Sequence, residues 1–130
     1  MGAKPHLFCM ADPESSAEYR AVELASQFYE VLLRFVPAST TLGELAVLTA
    51  VAKGVYLQRP TTVQEVARST GLSRWSVSRS ILRFIESGWI TERKDPNDSR
   101  KNLLVWTEQS FEGNRAWSRE WMKVWAAMER

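Results

Sequence analysis

The run from Thr62 to Thr107 constrains the fold of this chain more than any other segment, because two helix starts, a tight turn and a hairpin signature follow one another without a gap. Thr62 with Glu65 three residues on forms a capping box, in which hydroxyl and carboxylate each satisfy a backbone N–H. This predicts a helix from Val63 with Val66 and Ala67 on its inner face. Gly71 supplies the left-handed conformation that ends a helix without a Cβ penalty. Leu72 then packs into the turn, and Ser73 caps a second helix. In that helix Val77, Ile81, Phe84 and Ile85, spaced by three and four, define one buried stripe.

The other faces of the second helix carry Arg74, Ser76, Ser78, Arg79 and Arg83. Cations and hydroxyls of this kind suit phosphate oxygens and base edges in a major groove, although many charged helix faces are simply solvated. After Gly88 the period changes. Trp89 to Lys94 and Lys101 to Trp106 read as strands on either side of a turn-forming run, Asp95-Pro96-Asn97-Asp98-Ser99-Arg100. Two strands with a polar tip make a wing. Arg100 and Lys101 lie near its end, within reach of a minor groove or its flanking phosphates, and Asp98 is placed to hold the Arg100 guanidinium by a charge-assisted bond. A hairpin ion pair with no nucleic-acid contact fits the same residues. Asp95 and Pro96 are read as turn formers.

The stretch from Leu72 to Thr107 resembles the helix-turn-helix and wing of the MarR family, the multiple-antibiotic-resistance regulators. Asp95, Pro96, Asp98 and Arg100 fill an Asp-Pro-x-Asp-x-Arg wing motif, Phe84 and Gly88-Trp89 occupy the junction before it, and Trp106-Thr107 stand where Leu-Thr opens the next helix. The resemblance implies a mainly α fold with a small β-wing, in which N- and C-terminal helices pair two copies. It also implies a small aromatic effector bound between those helices and the reader. Phe28, Tyr29, Tyr56, Trp117 and Trp121 could line such a cleft, although aromatic stripes at helical spacing are usually packing, which is the favoured reading for each of them. The sequence departs from the family in having Ser110 where a glycine often stands, and in ending before the second post-wing helix.

The flanks extend the architecture. Tyr19, Val22, Ala25, Phe28 or Tyr29, Leu32 and Phe35 recur at helical spacing, predicting a helix over 15–36 that Pro37 stops. Thr41 with Glu44 is a second capping box, opening a helix with Leu45, Leu48, Val51, Ala52 and Val55 inward. Arg59-Pro60 breaks it, and Thr61-Thr62 is placed to add a short strand to the wing. Thr107 caps a last helix over 108–130, where Trp117, Trp121, Trp125 and Met128 line one side. The domain reading is a flexible tail over 1–14 and one winged-helix domain over 15–130, with the helix-turn-helix at 62–87 and the wing at 88–106. Phe28, Leu32, Trp117, Trp121, Trp125 and Met128 are expected at a homodimer interface, the alternative being core packing within one chain.

Composition enters where it excludes. The net charge of +2 conceals a division: residues 59–101 hold nine basic and five acidic side chains, whereas 1–58 hold four and six, and 102–130 four and four. Positive charge is thus concentrated on the proposed reader. No apolar run is long enough to span a membrane, and the N-terminal segment, broken by Pro5 and Pro13, lacks a secretory signal's apolar stretch. The single Cys9 is read as an incidental thiol rather than a redox sensor, which favours a cytoplasmic setting. With His6 as the one histidine, a four-ligand zinc site cannot be assembled. No nucleophile elbow, phosphate loop or His-Glu-x-x-His motif is present, so neither an enzyme nor a cofactor is expected.

These readings converge on a sequence-specific regulator of transcription that binds double-stranded DNA, a dimeric repressor on a pseudo-palindromic operator. The recognition-helix candidates are Ser73, Arg74, Ser76, Ser78, Arg79 and Arg83; the wing candidates are Asp98, Arg100 and Lys101. For Trp75 the expectation is packing on the preceding helix, with a thymine methyl or sugar contact as the other reading. Two alternatives stay open for the whole chain: a winged-helix replication or mobile-element factor, and a winged helix used for protein–protein interaction.

Overall fold

The computed structural model describes residues 15–129. The tail over 1–14, with His6 and Cys9, and the last residue of the expected 108–130 helix lie outside the described residues.

Ser16 starts the first helix, α1 (Ala17–Leu32), its hydroxyl accepting the Tyr19 N–H. The apolar pattern continues to Val36, but the helix ends four residues sooner than the 15–36 expectation. The Pro37 ring would clash with the Leu33 carbonyl and pushes Val36 out of the α region. The chain accordingly tightens into turns, with Arg34 N–H donating to the Val31 carbonyl and Phe35 N–H to that of Leu32.

Helix α2 (Leu42–Tyr56) opens with both arms of the Thr41–Glu44 capping box in place. Its fully buried line is Val47, Val51 and Gly54, of which Val47 and Gly54 are additions to the expectation. Of the five residues expected inward, Val51 is fully buried and Leu48 and Val55 pack half-buried against the core, while Leu45 and Ala52 are half-buried without belonging to it. Gly54 is required by close approach, since a Cβ there would lie 2.7 Å from the Arg59 carbonyl oxygen. The loop folds back over the helix end at that point, with Arg59 N–H bonded to the Gly54 carbonyl.

Helix α3 (Val63–Thr70) and helix α4 (Arg74–Glu86) meet at the expected turn. Thr62 and Glu65 complete the second capping box, Gly71 sits at φ 78°, and the Ser73 hydroxyl accepts the Ser76 N–H. Val66, Val77 and Ile81 are buried, together with Ala67, and Phe84, Ile85 and Leu72 pack around them.

The wing is an antiparallel pair, β1 (Ile90–Asp95) and β2 (Asp98–Trp106). The second strand begins at Asp98, three residues earlier than expected, and only Pro96-Asn97 remain as the tip. Side-chain bonds explain the difference. Asp95 Oδ1 accepts the Asn97 N–H and Asp98 Oδ1 accepts the Arg100 N–H, so the two carboxylates turn the chain within the hairpin. The register shifts there, from the Lys94–Asn102 pair to the Asp95–Asp98 pair. Thr61 adds a single bridge to Leu104 in place of a strand.

Helix α5 (Glu108–Met128) is anchored on the wing base. Thr107 Oγ1 donates to the Gly88 carbonyl and the buried Ser110 Oγ to that of Trp89, each at 2.6 Å. Ser110 thus joins helix to wing. The core proper lies among α2, α3, α4 and the wing, built from Val47, Val51, Val66, Ala67, Val77, Ile81, Ile90 and Leu104. The fold is therefore mainly helical, five helices and a two-stranded wing among the described residues, as the sequence predicts.

Candidate nucleic-acid interface

Helix α4 turns its apolar stripe to the core and leaves Arg74, Trp75, Arg79, Leu82 and Arg83 exposed, with Ser76 and Ser78 half-buried between them. Its one acid is Glu86 in the last turn; the first turn has none. Among the described residues neither Arg74 nor Arg79 pairs with a carboxylate. Their charge is available to an outside anion.

Arg83 is in a different state. Its guanidinium lies 2.8 Å from Glu44 Oε2, and the Glu44 side chain is only 13% exposed. The other oxygen of the same carboxylate accepts the Thr41 N–H of the α2 cap. Glu44 therefore fixes the α2 start and ties it to α4, and Arg83 reaches solvent with part of its hydrogen-bonding capacity used. Ser73 and Ser76 are likewise coupled: the Ser73 hydroxyl accepts the Ser76 N–H and donates to Ser76 Oγ at 3.0 Å. The Ser76 hydroxyl hydrogen remains free to donate outward.

Trp75 departs from expectation. Its indole is not buried but stands 66% exposed, with the Arg79 guanidinium carbon 4.7 Å from the ring centroid. The spacing explains it: residues four apart on a helix are neighbours, and the inward direction is already taken by Val77 and Ile81. The i, i+4 Trp–Arg relation was a usable signal in the sequence.

At the wing tip Asp98 grips Arg100 in a fork, Nε to Oδ1 at 3.1 Å and Nη2 to Oδ2 at 3.3 Å. The guanidinium side chain is 89% exposed while the carboxylate is largely covered. Hydrogen bonds from the Arg100 side chain, then from its backbone N–H, hold the Asp98 carboxyl below the usual carboxylate value against the opposing effect of desolvation, with the charge of Lys101 adding least. The fork is thus present above the ordinary carboxylate range and is lost only as pH falls through the lowered value. Lys101 is exposed beside it.

The terminal helices form a second site. Phe28 of α1 meets Trp117 and Trp121 of α5 edge-on, with centroids 5.9 and 5.0 Å apart, and Trp121 stands against Trp125. Four of the six expected interface residues therefore contact one another inside a single chain. Leu32 and Met128 are half-buried, and Trp125 is exposed. A shallow apolar depression of about 330 Å³, lined by Leu24, Ala25, Phe28, Tyr29 and Trp121 among others, opens beside them. Tyr56 belongs elsewhere: it packs with Trp106 and Phe111, where α2, the wing and α5 meet. No helix among the described residues is long and apolar enough to cross a membrane.

A sequence model of the MarR family matches residues 38–101, which spans α2 to the wing tip. An uncharacterised helix-turn-helix-type transcriptional regulator of Bacillus subtilis, YcgE, is 39% identical over 46 residues, a match covering 35% of this chain and 30% of that protein. The chain thus matches less than a third of that relative's length. Among solved structures, YusO of Bacillus subtilis is similar with a TM-score of 0.66 and 16% identity over 96% of this chain and 82% of that one. MepR of S. aureus, solved bound to ethidium bromide, reaches 0.68 at 13% identity, over 88% and 81% of the two chains.

Proposed function

We propose that this chain, which belongs to the MarR family through residues 38–101, reads specific sequences in double-stranded DNA as a twofold pair and represses transcription by occupying its operator. The observation that carries the reading is the outer face of α4, where Arg74 and Arg79 stand exposed with no carboxylate partner among the described residues. The wing places Arg100 and Lys101 as further cations.

Each residue then has a task. Arg79 and Ser76 address base edges, Arg guanidinium matching guanine O6 and N7 in a bidentate way. Ser73, Arg74, Ser78 and Arg83 make mixed base and phosphate contacts near the start and flank of the helix. Arg100 enters the minor groove beside Lys101, its orientation held by Asp98.

Pairing is supported by surface left uncovered on the terminal helices. Val22, Tyr29 and Leu33 near or on α1, and Met122 and Trp125 on α5, are exposed apolar side chains on neighbouring elements. Burial of such a surface against a second copy is the usual outcome. A twofold pair would set two α4 helices about 34 Å apart, one helical turn of DNA, and the operator would be a pseudo-palindrome. An aromatic effector would fit the depression beside Phe28 and Trp121. A cytoplasmic location accompanies this role.

The test is selection of bound duplexes from a random pool at two salt concentrations. The expected result is a two-part motif and an affinity falling by about 0.9 log units per log unit of salt for each phosphate neutralised. Recovery of unselected sequences, or of single direct repeats, would contradict it.

A further inference from the structure

Three cations of the reader are held in position, and they are held differently. Arg83 and Arg100 are fixed by carboxylates, which use guanidinium N–H groups. Arg79 is fixed by the face of the Trp75 ring. A cation–π contact spends no carboxylate on the guanidinium, and among the described residues no hydrogen bond engages its five N–H donors. Arg79 is therefore restrained by the ring and at the same time keeps its donors for an outside partner. A two-point match to guanine demands both properties.

The ring itself is the second observation. Trp75 lies in the first turn of α4 and is 66% exposed, although an indole is among the largest apolar groups a surface can carry. Residues at the start of a recognition helix meet base edges. In the major groove the apolar group offered by the bases is the C5 methyl of thymine.

We infer that Trp75 is a specificity-determining residue: it positions Arg79 for one guanine in each half-site and sets its own ring against the methyl group of a neighbouring thymine. The inference rests on the DNA-reading role proposed above. Leu82, exposed on the same helix seven residues from Trp75 and so about 10 Å further along the axis, supplies a control, an apolar surface residue outside the pair.

The experiment measures binding of the full chain to the duplex that the wild type selects from a random pool. The duplex is made in three forms: unmodified, with uracil for thymine, and with 7-deazaguanine for guanine. Wild type and Leu82→Ala should each lose about two- to fivefold in affinity on removal of the methyl, the size of one exposed apolar or cation–π contact. Trp75→Ala should be indifferent to the methyl, and its preference for guanine over adenine should fall by a similar factor. Trp75→Phe should restore part of both, because a smaller ring keeps the stack. Arg79→Lys should keep affinity for random duplex while becoming insensitive to 7-deazaguanine, since a point charge lacks the fork.

Equal responses of Trp75→Ala and wild type to all three duplexes would overturn the inference while leaving DNA reading intact. Failure of the wild type to enrich any motif would instead remove the reading on which it rests. The exposed position of Trp75 makes loss of folding an unsuitable explanation for a changed response, and a thermal melt of each variant checks that.

Discussion

The reader and the terminal helices of this chain are built on opposite principles. In the reader, helices and wing hold small branched side chains inward and bury them fully: Val47, Val51, Val66, Val77 and Leu104 are all at 0% exposure. In the terminal pair, the helices carry larger aromatic side chains that stay half-covered, and α1 contributes a single fully buried residue, Val31. The reader thus has a closed core, and the outer face of α4 is free to meet a ligand. The terminal helices leave apolar side chains such as Val22, Met122 and Trp125 exposed, the surface that the proposed pairing would cover. Burial separates the surface to which reading is assigned from the surface to which pairing is assigned.

The largest expected effect breaks or sustains that contrast directly. Ile81→Ala, in the reader core, should cost about 2–5 kcal/mol of unfolding free energy by denaturant titration, the cost of a cavity in a closely packed site. Trp121→Ala should cost less per atom removed, and its cost should grow with protein concentration if the ring lies at a pairing surface. Equal, concentration-independent losses would merge the two regions into one core.

Next in size is Arg79→Ala. Competition binding across single-base variants should show discrimination at one base pair per half-site reduced by about 1–3 kcal/mol, with other positions unaffected. A uniform loss over all variants would make Arg79 a phosphate contact. Trp125→Ala, on the other side of the contrast, should leave base preference untouched and shift the chain toward monomer in sedimentation.

A smaller effect is expected at the helix caps. Removal of the reader's capping hydroxyl in Thr62→Ala should lower stability by about 1 kcal/mol. Lys101→Ala is the mildest change. Its stability should be that of the wild type, and the slope of log affinity against log salt should become shallower by about 0.9 without any change of preferred sequence.

Much of the reader was legible in the sequence because its signals are local. The pairs Thr41–Glu44 and Thr62–Glu65, the Gly71 turn and the Ser73 cap each act within four residues, so composition at fixed spacing suffices. Legibility failed where a distant partner decides. Helix α2 is apolar on nearly every side, so no periodic pattern marks Val47 and Gly54 as inward; that depends on where α3 and the Arg59 loop come to rest. The Arg83–Glu44 bridge joins residues that are distant in sequence. The wing tip was misjudged for another reason: Asp98, Ser99 and Arg100 have turn-like composition, but the Asp98 carboxylate satisfies the backbone inside a strand. For Trp75 the sequence leaves two readings, packing on the preceding helix and a contact with DNA, and the exposed ring departs from the first because the stripe of Val77 and Ile81 fills the inner side of α4.

The central claim, that two rigidly spaced readers act together, is tested most directly by spacing. Binding is compared between the selected two-part duplex and the same duplex with five extra base pairs between its halves, which turns the second half-site to the opposite side of the helix. A paired reader predicts two chains bound to the first duplex and a loss on the order of 10²-fold for the second, as the second contact ceases to be intramolecular. Equal affinity for the two duplexes would contradict the account.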